Sequence, residues 1–155
     1  MERKFEGNVG RGWFRVRNPL KTMANGFFIL LLKYAPPIEL KNHAYRLLLG
    51  TKIGKDVAIA PDVMFDPMFP ELIELGDGCL LGWGVRVFTH EYSLDRIRIE
   101  PVKLGKKVFL GGFSIVRPGV SISDGVAIAS CSFVNKSITK KGLYGGVPVK
   151  LIRKA

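Results

Sequence analysis

The sequence predicts an all-β protein, a parallel β-helix of short stacked strands, and three observations carry that expectation. Aliphatic or aromatic residues recur every six positions, glycine or proline punctuates most units, and the fifth position of each unit is mostly Val, Ser, Cys or Ile. Starting at Ile53 the chain reads IGKDVA, IAPDVM and FDPMFP, then resumes from Leu75 as LGDGCL, LGWGVR and VFTHEY. After a second interruption it runs LGKKVF, LGGFSI, VRPGVS, ISDGVA, IASCSF and VNKSIT from Leu104. The units therefore open on Ile53, Ile59, Phe65, Leu75, Leu81, Val87, Leu104, Leu110, Val116, Ile122, Ile128 and Val134.

An amphipathic helix does not produce this pattern. Its apolar stripe recurs at i, i+3, i+4 and i+7, and each interior Gly or Pro would cost about 1 or 3 kcal/mol. A β-sandwich would alternate, with irregular spacing between strands. Six-residue units with a tight corner in each are the signature of stacked coils, which bury a continuous column of first-position side chains.

Residues 1–52 have no hexad phase and are expected to form a helical N-terminal extension, with 53–155 as the β-helix domain. Within the extension, Asn25 to Tyr34 is expected to be a short helix ended by Pro36 and Pro37, and Glu39 to Leu49 a second helix closed by Gly50. These helices are expected to cap the open base of the stack and to join subunit contacts. The other reading is peripheral membrane contact through residues 15–33, where Phe27 to Leu32 are flanked by Arg15, Arg17, Lys21 and Lys33. Residues 91–100 leave the repeat and return in phase, as a loop protruding from one corner does. The segment 142–155 abandons the repeat, and its last residues are expected to cover the final coil.

Composition bounds the function. Of 155 residues, 47% are hydrophobic and 24% charged, the balance of one ordinary folded domain. The apolar run Gly26 to Leu32 falls far short of the ~20 residues that cross a bilayer, and no signal peptide fits. Cys79 and Cys131 make no disulfide framework, so a cytoplasmic location is expected. With only His43 and His90, no Cys/His zinc finger can be assembled. The net charge of +11 implies an anionic partner. The basic residues are scattered without a nucleic-acid-binding motif, so a phosphorylated cofactor or an anionic membrane surface needs fewer assumptions.

The stretches PVKLG from Pro101, VFLGG from Val108, VRPGVSISDGVAIAS from Val116 and YGGVPVKLIRK from Tyr144 occur in this order. Through them the chain resembles the hexapeptide-repeat acyltransferase superfamily, most nearly the maltose and galactoside O-acetyltransferases and related sugar O-acetyltransferases. The resemblance implies a left-handed winding of triangular section with three hexads to a coil, against the usual right-handed crossover preference. It also implies acetyl-CoA as co-substrate without a metal, and transfer to a hydroxyl of a free or lipid-linked sugar. A homotrimer with its sites between subunits is expected.

Acyl transfer from a thioester to a hydroxyl needs a base, an oxyanion donor and a way to hold both substrates together. His90, in VFTHEY, matches the family's catalytic histidine, and imidazole titrates near neutrality. His43 is expected to be an ordinary surface or packing residue. Glu91 either orients the imidazole or, the favoured reading, is a solvated surface carboxylate, since adjacent strand residues face opposite ways. Gly112, after Gly111 in LGG, matches the position whose backbone N–H serves as oxyanion donor; it is equally a corner glycine. The resemblance assigns the coenzyme to Gly111, Gly112, Ser130, Asn135, Lys136 and Pro148, with Lys136 suited to meet a phosphate as a point charge. Cys131 and Phe133 depart from the family's small-residue run. For the acceptor, Asp66 approximates a position that contacts sugar hydroxyls, and Trp83 either stacks on a sugar face or covers a corner.

Two relatives of the same fold class are excluded. A γ-class carbonic anhydrase needs three histidine ligands, and sugar nucleotidyltransferases carry a large α/β domain. A non-catalytic β-helix scaffold remains the alternative, though it would need neither a histidine beside the loop nor Lys136.

Overall fold

The computed structural model describes residues 1–4, 9–35 and 38–154. Its first coil holds β2 (Lys52–Ile53), β3 (Ala58–Ile59) and β4 (Met64–Phe65), preceded by strand β1 (Glu2–Lys4) and helices α1 (Pro19–Leu32) and α2 (Ile38–Leu49). The second coil holds β5 (Ile73–Leu75), β6 (Leu80–Leu81) and β7 (Arg86–Val87), and a hairpin of β8 (His90–Tyr92) and β9 (Arg96–Ile99) follows it. Then come β10 (Val102–Leu104), β11 (Phe109–Leu110) and β12 (Ile115–Val116), and a fourth coil of β13 (Ser121–Ile122), β14 (Ala127–Ile128) and β15 (Phe133–Val134). Strands β16 (Gly142–Gly145) and β17 (Lys150–Lys154) end the chain.

Each coil contributes one strand to each of three parallel sheets, so the stack has three faces. The first face is β2-β5-β10-β13, the second β3-β6-β11-β14 extended by β16 and β17, and the third β4-β7-β12-β15. The register joins unit openers directly: Leu81 pairs with Ile59 and Leu110, and Val116 with Val87 and Val134. This is the left-handed β-helix that the resemblance implied.

The hexad explains itself in this geometry. First-position side chains point inward, from Ile53 at 8% exposed to Leu81, Val87, Leu110 and Val134 at 0%. Each such aliphatic burial stabilises by roughly 1.5–3 kcal/mol. Fifth-position residues fill the inner corners, and Val57, Cys79, Val85, Ser114 and Val126 are all buried. The fourth position takes the left-handed conformation at corner after corner: Asp56, Asp62, Gly78, Gly84, Lys107, Phe113, Gly119, Gly125 and Cys131 have φ between 53° and 80°. That single residue turns the chain toward the next face.

The base of such a stack leaves backbone carbonyls without a strand below them. Helix α2 supplies the donors. Lys41 Nζ reaches the carbonyls of Ile59 and Ala60, Asn42 donates to Val57 O at 2.7 Å, and Arg46 donates to Ile53 O and Gly54 O. Burial pushes the Lys41 pKa down. Tyr45, fully buried, sets its ring against Phe65 at 5.1 Å, and burial pushes its hydroxyl up to about 12.

Several boundaries differ from the sequence expectation. Helix α1 begins at Pro19, not Asn25, because the Asn18 side chain accepts from Leu20 and Lys21 N–H and proline occupies its first turn. Pro36 and Pro37, expected to end α1, lie outside the described residues. The segment 91–100 is mostly strand: β8 pairs antiparallel with β9, and β1 adds to the far side of β9. The tail is a strand pair over residues 142–154, β16 lying parallel on β14 and β17 antiparallel on β16. FDPMFP, counted as a repeat unit, joins the stack only through Phe65 and the Asp66 N–H; Pro70–Leu72 turn through a 3-10 helix.

Candidate active site

The third face has two edges, and the expected site residues divide between them. At its trailing edge, where the chain leaves toward the first face, Asp66, Phe88 and Arg117 stack in successive coils. Their N–H groups donate to Val87 O, Val116 O and Val134 O. His90 follows at this corner and opens the hairpin. At the leading edge, where the chain arrives from the second face, Trp83, Gly112–Phe113 and Ser130–Cys131 stack instead. Phe113 N donates to Trp83 O at 2.8 Å, and Cys131 N to Gly112 O at 2.9 Å.

The trailing edge is organised around one carboxylate. Asp66 is fully buried. Its Oδ1 accepts the N–H of Met68 at 2.8 Å and of Phe69 at 3.4 Å. Its Oδ2 accepts the N–H of Thr89 and of His90, both at 2.9 Å, and lies 2.5 Å from His90 Nδ1. Burial pushes the Asp66 carboxyl up, but the bond to His90, its charge and the Thr89 and Met68 amides outweigh that, so its pKa lies below the ordinary value. Acceptor contact by Asp66 is therefore corrected: both oxygens are committed within the protein and none of the residue is exposed. It holds the imidazole from behind.

The same bond sets the ring's orientation. With Nδ1 turned to the carboxylate, Nε2 is left without a partner among the described residues. The ring is flanked edge-on by Phe69 at 6.2 Å and Tyr92 at 5.2 Å, and the guanidinium of Arg17 lies over Phe69 at 4.9 Å. Thr89, fully buried, ties its hydroxyl to Phe69 O at 3.0 Å, closing the turn that carries the histidine.

Glu91 neither orients the imidazole nor stands free in solvent. Its two oxygens lie 2.6 Å from Arg117 Nε and Nη2, a bidentate pair that links the hairpin to the third coil. That pairing, before any effect of burial, holds the Glu91 carboxyl below its ordinary range. Arg98, joined to Glu100, adds a longer contact to Glu91 at 3.6 Å. A cavity of about 510 Å³ opens on this outer side between Glu91, Tyr92, Arg96, Arg98 and Arg117. His90 does not line it.

The leading edge is built from backbone. A Cβ on Gly111 would collide with Ser130 N, and one on Gly112 would stand 3.1 Å from Trp83 O. The Gly112 N–H has no acceptor among the described residues. Ser130, Lys136 and Pro148 are exposed, and Asn135 is half-buried. Asn135 and Lys136 follow β15 and so belong to the trailing corner. Pro148 follows a cis peptide bond, next to Val149, whose N–H reaches Phe133 O at 2.9 Å. Trp83 is 48% exposed, with its ring 6.2 Å from Tyr34. One chain does not bring His90 and Gly112 together. Six residues, among them the strand β7 that crosses the face, separate Trp83, stacked on Gly112, from His90, a span on the order of 15–20 Å.

No family model matches the chain. It is 35% identical over 133 residues to the Bacillus subtilis (strain 168) protein named "Putative acetyltransferase YvoF", covering 86% of this chain and 77% of that one. The chain belongs to the hexapeptide-repeat acetyltransferases. Among solved structures, a hexapeptide-repeat acetyltransferase of Vibrio cholerae O1 biovar eltor, complexed with acetyl coenzyme A, superposes with a TM-score of 0.73 at 22% identity, over 87% of each chain. A maltose O-acetyltransferase of Clostridium difficile 630 superposes with a TM-score of 0.68 at 22% identity, over 87% of this chain and 86% of that one. At that identity the two structures bear on the fold of this acetyltransferase-family chain.

Asp66 is the residue whose part sequence reading misplaced. It follows Phe65 as Phe88 follows Val87, so hexad counting alone puts it one coil beneath the His90 turn. The count places the residue but not its side chain, which turns to the Thr89 and His90 amides and to the His90 ring.

Proposed function

We propose that the protein transfers the acetyl group of acetyl-CoA to a hydroxyl of a sugar-containing acceptor, with His90 as general base and Asp66 as its orienting partner. The observation that carries this reading is the 2.5 Å contact between His90 Nδ1 and a fully buried carboxylate, which leaves Nε2 free to take a proton. A carboxylate-fixed imidazole is the device by which a weak hydroxyl nucleophile is activated near neutral pH. The acceptor oxygen attacks the thioester carbonyl carbon while its proton passes to Nε2. The carbon–sulfur bond then breaks, and Nε2–H returns the proton to the departing thiolate, giving an O-acetyl ester and free coenzyme A thiol.

The oxyanion donor in this reading is the Gly112 N–H of a second copy. His90 and Gly112 occupy opposite edges of one face, so a site holding both needs two chains, and a head-to-tail contact of this kind closes as a ring. A homotrimer fits. Surface composition supports it: outward positions of the second face are Ala58, Leu80, Phe109, Ala127 and Leu143, whereas those of the first are Lys52, Glu74, Lys103 and Ser121. Ser130 and Pro148 would flank the pantetheine arm, and Lys136 would meet a phosphate. Trp83 would present its exposed ring to a sugar.

A sugar acceptor is supported by the likeness to a maltose O-acetyltransferase. The test is a panel of mono- and oligosaccharides, free and lipid-linked, incubated with acetyl-CoA while free thiol is followed. Acceptor-dependent thiol release that vanishes in His90→Ala supports the reading. A folded, trimeric protein that binds acetyl-CoA yet releases no thiol with any hydroxyl acceptor sinks it in favour of a scaffold.

A further inference from the structure

Helix α1 is apolar on both sides, and only one side is covered. Asn25, Ile29 and Leu32 are buried against the rest of the molecule. On the opposite face Leu20, Met23, Phe27, Leu30, Leu31 and Tyr34 are each 60–76% exposed. Their spacing of three and four residues puts the first five on one arc of the helix surface, with Tyr34 in the turn just beyond its end. Ordinary surface helices turn charge outward there; a helix apolar all round is a helix with a second apolar neighbour. A slot of about 130 Å³ between Gly26, Ile29, Leu30, Met64, Phe65 and Pro67 opens beside the same stripe, with an almost wholly apolar lining.

The charge around the stripe identifies that neighbour. From Val9 to Ala35 the sequence carries Arg11, Arg15, Arg17, Lys21 and Lys33 and no acidic residue. Arg17 is engaged with Glu71 and Lys33 with Asp62, while Arg15 and Lys21 are exposed beside the stripe. A second copy of this face would bring the same positive charges against it, within a chain already at +11. An anionic lipid surface would gain from both features at once. The 14 residues of α1 span about 21 Å, less than the ~30 Å hydrocarbon core, and no described helix is long and apolar enough to cross it. The helix suits the interface plane, with its apolar arc among acyl chains, its basic residues at the headgroups and Tyr34 at the boundary.

We propose that the exposed face of α1 docks this protein on the surface of an anionic lipid bilayer. The inference stands on α1 alone and is independent of the reaction assigned above. The test is flotation of the full chain with vesicles of phosphatidylcholine alone or mixed with phosphatidylglycerol, paired with sedimentation to read oligomeric mass. The wild type should partition at least about tenfold more strongly onto the anionic vesicles, and salt should weaken it, since it screens the attraction between basic residues and headgroups. Phe27→Glu with Leu31→Glu should abolish flotation, and Arg15→Glu with Lys21→Glu should erase the anionic preference, both at unchanged mass. All four positions are exposed, so folding is preserved. Failure of the wild type to float, or equal flotation on both vesicles, overturns the proposal. So does dissociation of the Phe27→Glu, Leu31→Glu protein into smaller species, which would assign the face to a second copy.

Discussion

At the trailing edge of the third face, side chains do the joining: Asp66 to His90 at 2.5 Å and Glu91 to Arg117 at 2.6 Å, with Thr89 buried between them. At the leading edge, one strand away, the backbone of Gly111, Gly112 and Ser130 is stacked at contact distance, and the side chains that remain, Trp83, Phe113 and Cys131, face outward. The first edge spends buried polar groups to fix one ring. The second clears space and offers the Gly112 N–H, unpaired among the described residues. In the proposed reaction a base held rigidly and a backbone left open would be the two halves of the site, and the fold puts the two arrangements on separate edges of each chain.

The largest expected effect breaks the first edge. His90→Ala should lower kcat by about a thousandfold or more, the worth of a positioned base, with circular dichroism unchanged because the ring is partly exposed. Activity within tenfold of wild type would remove the trailing edge from the chemistry.

The division between chains can be sharpened by mixing. Ser130→Trp should fill the groove at the leading edge, where Ser130 is exposed, without burying anything. Equal amounts of Ser130→Trp and His90→Ala chains, co-refolded, should recover roughly a quarter of wild-type thiol release, since random three-membered rings regenerate intact sites in that proportion. Recovery at the level of either variant alone would place both edges in one chain's site.

Asp66→Asn tests what holds the ring. It keeps the volume but trades the charged acceptor for a weaker one and unsettles the imidazole tautomer, and kcat should fall by about 10²-fold or more, up to roughly 10⁴-fold. The same substitution has a pH signature. Because the folded Asp66 pKa lies below its unfolded value of about 3.9, the unfolded chain binds more protons than the folded one in acid. The stabilisation is complete above the unfolded value and is lost as pH falls through the folded one. Urea unfolding from neutral pH down to pH 3 should therefore show a shallower acid limb in Asp66→Asn, and an identical limb would deny the buried pair.

How far the sequence was legible follows the same contrast. The coils were plain because hexad positions are enforced by covalent rhythm: a first-position residue has nowhere to point but inward, as Leu81 and Leu110 show at 0% exposed. The leading-edge glycines were visible for the same reason, since neighbouring coils leave Gly111 no room for a side chain. The trailing edge was legible only at His90. Asp66 is joined to it across 24 positions and an insertion, and no local pattern marks a contact of that reach. The hairpin β8–β9 and its third strand β1 were hidden likewise, because Glu2 meets Arg98 by a pairing that only the folded chain brings about.

The smallest expected effect separates corner strain from surface purpose. Lys107 and Phe113 both adopt the left-handed conformation, at φ 53° and 59°, which costs a side-chain-bearing residue roughly 1–2 kcal/mol. Lys107 is an exposed corner residue away from the third face, so Lys107→Gly should stabilise by a few tenths to about 1 kcal/mol after the unfolded-state entropy of glycine is deducted. Phe113 lies on the leading edge, 58% exposed, its ring so close to Gly84 that a Cβ there would meet it at 2.7 Å. A strained, exposed aromatic is better explained by what it meets outside the chain than by what it meets within. Phe113→Gly should thus leave unfolding of the single chain within about 1 kcal/mol of wild type while shifting the assembly toward monomer at low concentration. If sedimentation shows assembly unmoved and unfolding shows a loss of several kcal/mol, Phe113 serves the coil, and the contact between copies lies elsewhere.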